Sequence, residues 1–147
     1  MTSITLKVER EKSMLRRHPW IFEGAIEKTD GIIRSGDTVD ILASDGTWLA
    51  KAAYSPESQI RARVWSFTKS EVIDNAFFKR KLEQALARKQ EILKKHNTNA
   101  FRLIAAEADG LPGITIDVYV NVVVVQLLST GAEKHRSKIL WSILQLF

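Results

Sequence analysis

Residues 36–65 constrain the fold more than any other stretch of the chain. Val39 and Ile41 alternate with Thr38 and Asp40, the period of a half-buried strand. Asp45-Gly46 marks a hairpin turn, because glycine accepts positive φ and aspartate hydrogen-bonds its own backbone. Trp48 to Tyr54 is the return strand. Ser55-Pro56 interrupts the pairing, since proline has no N–H to donate to a ladder. Ile60 to Trp65 is a third strand, with Ile60, Ala62 and Val64 facing one way and Arg61, Arg63 and Trp65 the other. A chain that folds in this way makes a small barrel with two arginines and an indole on its outer face, a surface suited to nucleic acid.

The residues before this stretch extend the same unit. Ile4, Leu6 and Val8 alternate with Thr5 and Lys7 as a first strand. Residues 11–18 read as a short helical turn stopped by Pro19, with Met14 and Leu15 toward the core and Lys12, Arg16 and Arg17 exposed. Trp20-Ile21-Phe22 starts another strand, and the β-rich part closes near Phe67. After Thr68 the composition changes. Residues 77–95 contain no glycine or proline, and Phe78, Leu82, Ala85, Leu86 and Leu93 recur at helical spacing. Asp74 is the expected N-cap, and Asn97-Thr98-Asn99 the stop. A short strand at 101–104, a turn region at 107–113 and a hairpin of 114–119 with 122–128 follow. The last element is a helix over 132–147, with Ile139, Leu140, Ile143, Leu144 and Phe147 as its buried stripe and Lys134, Lys138, Ser142 and Gln145 as its wet side. It carries no stop signal and ends in mid-pattern, which reads as a chain cut short. The fold class expected is α+β: a small β-barrel unit over 1–70, then an incomplete mixed α/β segment over 71–147.

The 22 basic and 17 acidic residues give a net charge of +5 and suit a polyanionic partner. No apolar run reaches about 18 residues, so no membrane-spanning helix and no membrane partner are expected. The first ten residues lack an apolar signal core, which favours a cytoplasmic protein. The absence of cysteine excludes disulfides, thiolate metal sites and a cysteine nucleophile within these residues.

The basic and aromatic set is the strongest candidate site. Lys12, Arg16, Arg17, Lys51, Arg61 and Arg63 are placed to meet phosphates, and Tyr54 or Trp65 to stack on a base. The bland alternative is charge covering a small barrel, with Trp65 packed against the neighbouring segment. Glu107, Asp109 and Asp117 surround a Gly-Pro-Gly-like turn and offer oxygen ligands for a divalent metal, but Asp-Gly and Leu-Pro-Gly more commonly shape turns. His18, His96 and His135 have no metal-ligand spacing. Ser13 and Ser55 lie in no nucleophile elbow. No Gly-x-Gly-x-x-Gly or Walker sequence offers a cofactor loop. No catalytic, cofactor-binding or metal residue is therefore assigned.

Four segments carry a resemblance. Residues 10–25 (Arg-Glu-Lys-Ser-Met-Leu-Arg-Arg-His-Pro-Trp-Ile-Phe-Glu-Gly-Ala), 35–41 (Ser-Gly-Asp-Thr-Val-Asp-Ile), 53–65 (Ala-Tyr-Ser-Pro-Glu-Ser-Gln-Ile-Arg-Ala-Arg-Val-Trp) and 102–117 together resemble the ribosomal RNA large subunit methyltransferase I family. Gly-Asp-x-Val alone is shared by many PUA domains, whereas the long Tyr-Ser-Pro and Asp-Gly-Leu-Pro-Gly stretches in this order are more specific. The resemblance implies a parent with a PUA domain, a central α/β domain and a Rossmann-like domain. That parent methylates carbon 5 of a cytosine in large-subunit ribosomal RNA, using S-adenosylmethionine and a cysteine thiolate. This chain has no cysteine and no cofactor loop. The resemblance therefore places it as the RNA-binding N-terminal part, with no cofactor of its own and large-subunit ribosomal RNA as partner. One departure stands out: the family tends to have glycine in the turn occupied here by Tyr119-Val120-Asn121. Valine tolerates positive φ poorly, so either the turn type differs or Asn121 takes the strained position. Two other readings remain open, a complete metal-assisted catalyst and a structural platform that forms a homodimer through the apolar last helix.

Overall fold

The computed structural model describes residues 2–147. The chain is α+β and divides into two compact units that meet in sequence at Glu71/Val72.

The first unit is a six-stranded sheet made of β1 (Ser3–Leu6), β2 (Trp20–Phe22), β3 (Ile26–Asp30), β4 (Thr38–Leu42), β5 (Trp48–Tyr54) and β6 (Ile60–Ser66). The strand order is β2-β6-β5-β4-β1-β3. All neighbours are antiparallel except β1 and β4, which run parallel. The two edge strands, β2 and β3, are joined by only a three-residue 3₁₀ turn, Glu23–Ala25. The opposite edges of the sheet must therefore lie close together, which curls it into a small barrel. Ile4, Leu6, Ile21, Val39, Ile41 and Val64 fill the interior, closed from one side by Met14 of the single-turn helix α1 (Lys12–Leu15).

Three expectations for this unit are corrected. Val8 lies beyond β1 and is 73% exposed, because the strand ends at Leu6, where its pairing with β3 shifts register. Leu15 is likewise exposed, since a single turn of helix can aim only one side chain, Met14, at the core. Trp65 is buried and does not share an outer face with Arg63. In the β5–β6 pair Ala52 faces Val64 while Lys51 faces Ser66, so Trp65 is an extra residue, and the bulge breaks the alternation there.

The second unit holds α2 (Asn75–His96), a sheet of β7 (Ala100–Ala105), β8 (Ile114–Tyr119) and β9 (Val122–Leu127), and two short helices, α3 (Thr130–Lys134) and α4 (Arg136–Leu146). Asp74 caps α2 by accepting from the Phe77 amide at 2.9 Å, and Asn97 ends it in the left-handed region. Phe77, Phe78, Leu82 and Ala85 form its buried face. Gly113 has φ +77, and a Cβ there would collide with the Ser129 side chain, so this turn requires glycine on both counts.

The last helix differs from its expected form. It is broken at His135, and the face packed in the interior is His135, Ile139, Ser142 and Ile143. Ser142 is fully buried: its short side chain fits against the helix, and its hydroxyl donates to the Lys138 carbonyl at 2.8 Å. Leu140, Leu144 and Phe147 are rotated outward, where they line an apolar groove of about 600 Å³ with Val123 and Val125.

Positive φ in the β8–β9 turn falls on Val120 (φ +57) and not on Asn121. This is the first central position of a two-residue hairpin loop, the pattern of a type II′ turn, where glycine is favoured. A left-handed β-branched residue costs roughly 1–2 kcal/mol. Val120→Gly is expected to raise stability by about 1 kcal/mol, read as a higher urea midpoint with an unchanged slope.

Candidate nucleic-acid interface

The two arginines of β6 differ in what they can offer. Arg61 is largely enclosed. Its guanidinium pairs with Glu23 at 3.1 Å, and its Nε donates to the Ser58 carbonyl at 3.1 Å. Arg63 sits between Trp20 of β2 and Ala53 of β5 in the ladder and makes no ion pair among the described residues. Ile21 and Ala62 point into the core, so Trp20 and Arg63 share the outward face. Directly opposed residues in an antiparallel pair have Cβ atoms about 5 Å apart, so the two side chains leave the sheet as neighbours on that face.

The remaining residues expected from sequence separate into two groups. Lys12 and Arg16 are exposed and make no ion pair among the described residues. Arg17 is held in place: it has φ +63 at the end of α1, where the His18 amide bonds Ser13 and the Arg17 amide bonds Met14. This is a Schellman ending with arginine where glycine is usual. Its guanidinium lies 4.9 Å from the centre of the Phe67 ring, a cation–π contact that keeps the charge and leaves the N–H edge to bind acceptors. Lys51 and Tyr54 do not join this face. The Lys51 ammonium donates to the Glu71 carbonyl at 2.5 Å. Tyr54 lies in register with inward-facing Ala62 and packs on the core, so its ring is not a stacking platform. Buried Trp65 offers none either.

The aromatic component of the face comes from residues outside the site expected from sequence, the last residue of the helical turn and the strand that follows it. His18, Trp20 and Phe22 follow one another at a spacing of two, and with Ile21 inward they line the outer side of β2. Their rings form an edge-to-face row, His18 to Trp20 at 5.9 Å and Trp20 to Phe22 at 6.3 Å. The Trp20 amide donates to His18 Nδ1 at 3.2 Å, which fixes the imidazole. Phe22 is 47% exposed. The H-x-W-x-F alternation is visible in the sequence, but three apolar residues in succession read equally well as a buried strand.

Net charge does not single out this unit. Residues up to Glu71 carry 11 basic and 10 acidic side chains, while α2 alone carries seven basic and two acidic ones. Much of the charge on α2 has a structural role. Arg88 and Lys89 meet Asp109 at 3.0 and 3.5 Å, and Lys94, Lys95 and His96 fill its last turn, where the helix dipole favours cations. The acidic residues weighed as metal ligands are also engaged: Asp109 by those two cations, and Asp117 by a two-point pair with Arg102 at 2.8 and 3.1 Å. Arg102 holds the Asp117 carboxyl below the usual carboxylate range. Among the described residues no three His, Cys, Asp or Glu side chains are grouped as a metal site. No helix among them is long and apolar enough to cross a membrane.

Residues 4–67 match the family model for a PUA-like domain. Proteins named ribosomal RNA large subunit methyltransferase I match nearly the whole chain. The protein from Pseudoalteromonas atlantica is 55% identical over 140 residues, covering 95% of this chain and 35% of that protein. The one from Klebsiella pneumoniae is 51% identical over 144 residues, covering 98% and 36%. The one from Yersinia pseudotuberculosis is 60% identical over 127 residues, covering 86% and 32%. The chain thus spans about a third of the length of the curated relatives it matches. A solved structure from Streptococcus mutans, described as a SAM-dependent methyltransferase, superposes with a TM-score of 0.83 at 18% identity, covering 99% of this chain and 38% of that one. A second, described as a methyltransferase complexed with SAH, gives the same TM-score and identity. At that identity the two structures establish a shared fold. The sequence relatives say more: at 51–60% identity, nearly the whole chain is similar to about a third of proteins named ribosomal RNA large subunit methyltransferase I, and its residues 4–67 match a PUA-like domain.

Proposed function

We propose that this chain is the RNA-holding part of a ribosomal RNA methyltransferase. In this reading the PUA-like unit grips structured large-subunit ribosomal RNA, and a methyl group from S-adenosylmethionine is transferred to a cytosine by the whole protein. The chain's own residues bind and orient; they do no chemistry alone. The observation that carries the reading is Arg63, an arginine without an ion pair among the described residues, on an outward strand face directly opposite Trp20. A guanidinium in that setting binds phosphate oxygens in a two-point manner and stacks on flat groups. Lys12, Arg16 and Arg17 add positive charge within the same unit. Phosphate contacts of this kind position an RNA, leaving target choice to other contacts.

The test is a titration of the chain with a folded fragment of large-subunit ribosomal RNA. Arg63→Glu is expected to weaken binding by about tenfold or more, since it removes one attraction and adds a repulsion. Arg61→Glu is expected to do less to affinity, because Glu23 already neutralises that arginine. It should do more to stability, because it turns the attraction to Glu23 into a repulsion between two carboxylates. Equal affinity of Arg63→Glu and the unaltered chain removes this face from the interface.

A further inference from the structure

We infer that the β2 edge takes an unpaired stretch of RNA, its bases stacked on the Trp20–Phe22 row and its phosphates on Arg63 and the α1 cations. The inference rests on the RNA-binding reading above and adds the form of RNA bound. Four observations carry it.

First, the row lies on an edge strand. β2 ends the strand order, and with Ile21 inward its Trp20 and Phe22 side chains lie on the outward face of the barrel, where an extended chain can reach them. Second, the rings are exposed where a buried role would hide them: Phe22 is about half exposed and Trp20 partly so. Third, the rings stand nearly perpendicular, at 81° and 82°, with centres about 6 Å apart. No flat slot opens between them, so a base stacks on the solvent side of the row and is not inserted into it. Fourth, Arg63 flanks the row across the ladder, and Lys12 and Arg16 lie exposed at the start and the C-cap of the helix that precedes it.

A duplex would make poor use of this arrangement. Paired bases are stacked inside the helix, and double-stranded RNA is recognised through phosphates and 2′-hydroxyls along its grooves, which calls for spread cations and no aromatic surface. An unpaired strand presents π-faces to rings and phosphates to arginine at the same time. The pairing favours nucleic acid over an acidic peptide for the same reason: an arginine across the ladder from an indole serves a base-and-phosphate repeat, one group for each part.

The experiment uses the full chain and one labelled RNA of low self-structure, measured alone and annealed to its complement. Single-stranded RNA is expected to bind about tenfold more tightly than the duplex. Phe22→Leu, which keeps the residue apolar but removes the π-face, is expected to lose about tenfold in single-strand affinity and nothing in duplex affinity. Trp20→Ala should act in the same direction, and a urea melt of each variant establishes that it is folded. Equal affinity for the two forms, or a folded Phe22→Leu variant that binds single strands as before, overturns the inference while leaving the RNA-binding reading intact. Failure of the unaltered chain to bind RNA in either form overturns both, and would leave the row as a surface for a protein partner.

Discussion

Replacing Asp109 with alanine is expected to cost about 3 kcal/mol of stability in the second unit. The carboxylate is 10% exposed and satisfies three partners. Oδ2 accepts from the Ala105 amide at 2.7 Å, Oδ1 accepts from Arg88 at 3.0 Å, and Lys89 lies 3.5 Å from Oδ2. Lys89 is itself drawn inward, donating to the Arg102 and Leu103 carbonyls at 2.7 and 2.5 Å. Alanine leaves an ammonium without its counter-charge and a backbone amide without its acceptor, the two costs that dominate when one side of a partly buried network is removed. Asp109→Asn retains an acceptor for Ala105 and is expected to lose less, about 1–2 kcal/mol. Burial alone would push the Asp109 carboxyl up, but the Ala105 amide, Arg88 and Lys89 outweigh it and hold the group below the usual carboxylate range. A depressed carboxyl contributes stability above its unfolded value, near pH 4, and loses it as pH falls through the folded value. Urea unfolding of the two variants at pH 7 checks the magnitudes. An alanine variant as stable as the original would mean that this network is decorative.

His135 sets a second, higher pH window. It lies at the break between α3 and α4, 7% exposed, with its ring 5.3 Å from that of Phe78. Burial, with Lys138 and Lys134 nearby, lowers its pKa from 6.5 to about 4. The folded state thus keeps the ring neutral where the unfolded chain would protonate it. Stability from this residue is complete above pH 6.5, falls as pH drops from 6.5 to about 4, and levels off below. The full loss is about 3 kcal/mol. His135→Leu, which cannot take up a proton, is expected to flatten the urea midpoint across that window. A profile that keeps its slope in the leucine variant assigns the titration to another group. Asp109 acts only below this range, so the two effects separate on the pH axis.

Much of the fold is written in local signals. The Asp45-Gly46 turn, Asp74 as cap and Asn97 as stop act within a few residues, and each element they bound forms as expected. What sequence could not supply is non-local. The bulge that buries Trp65 depends on the register of β6 against β5. The face that α4 presents depends on what it packs against, and so Ser142 is buried while Leu144 is exposed. Val120 accepts positive φ because a two-residue loop between β8 and β9 imposes it, whatever the residue prefers. The candidate site shows the same division. That Arg61 and Arg63 point outward follows from alternation. That Glu23 occupies Arg61, while Trp20 faces Arg63, requires the pairing of β2 with β6, which brings together residues about forty positions apart. The His18-Trp20-Phe22 row needed only the knowledge that Ile21 is the inward residue.

The central claim is that arginine and lysine side chains of the PUA-like unit hold RNA through its phosphates. It is tested most directly by the salt dependence of affinity for a folded large-subunit ribosomal RNA fragment, measured for the unaltered chain and for Arg63→Glu. Each phosphate neutralised contributes nearly one unit to the slope of log affinity against log salt. Steep weakening with salt is predicted for the unaltered chain, and a slope shallower by about one unit for the variant. Affinity that does not change with salt, or the same slope and affinity in both proteins, would contradict the claim.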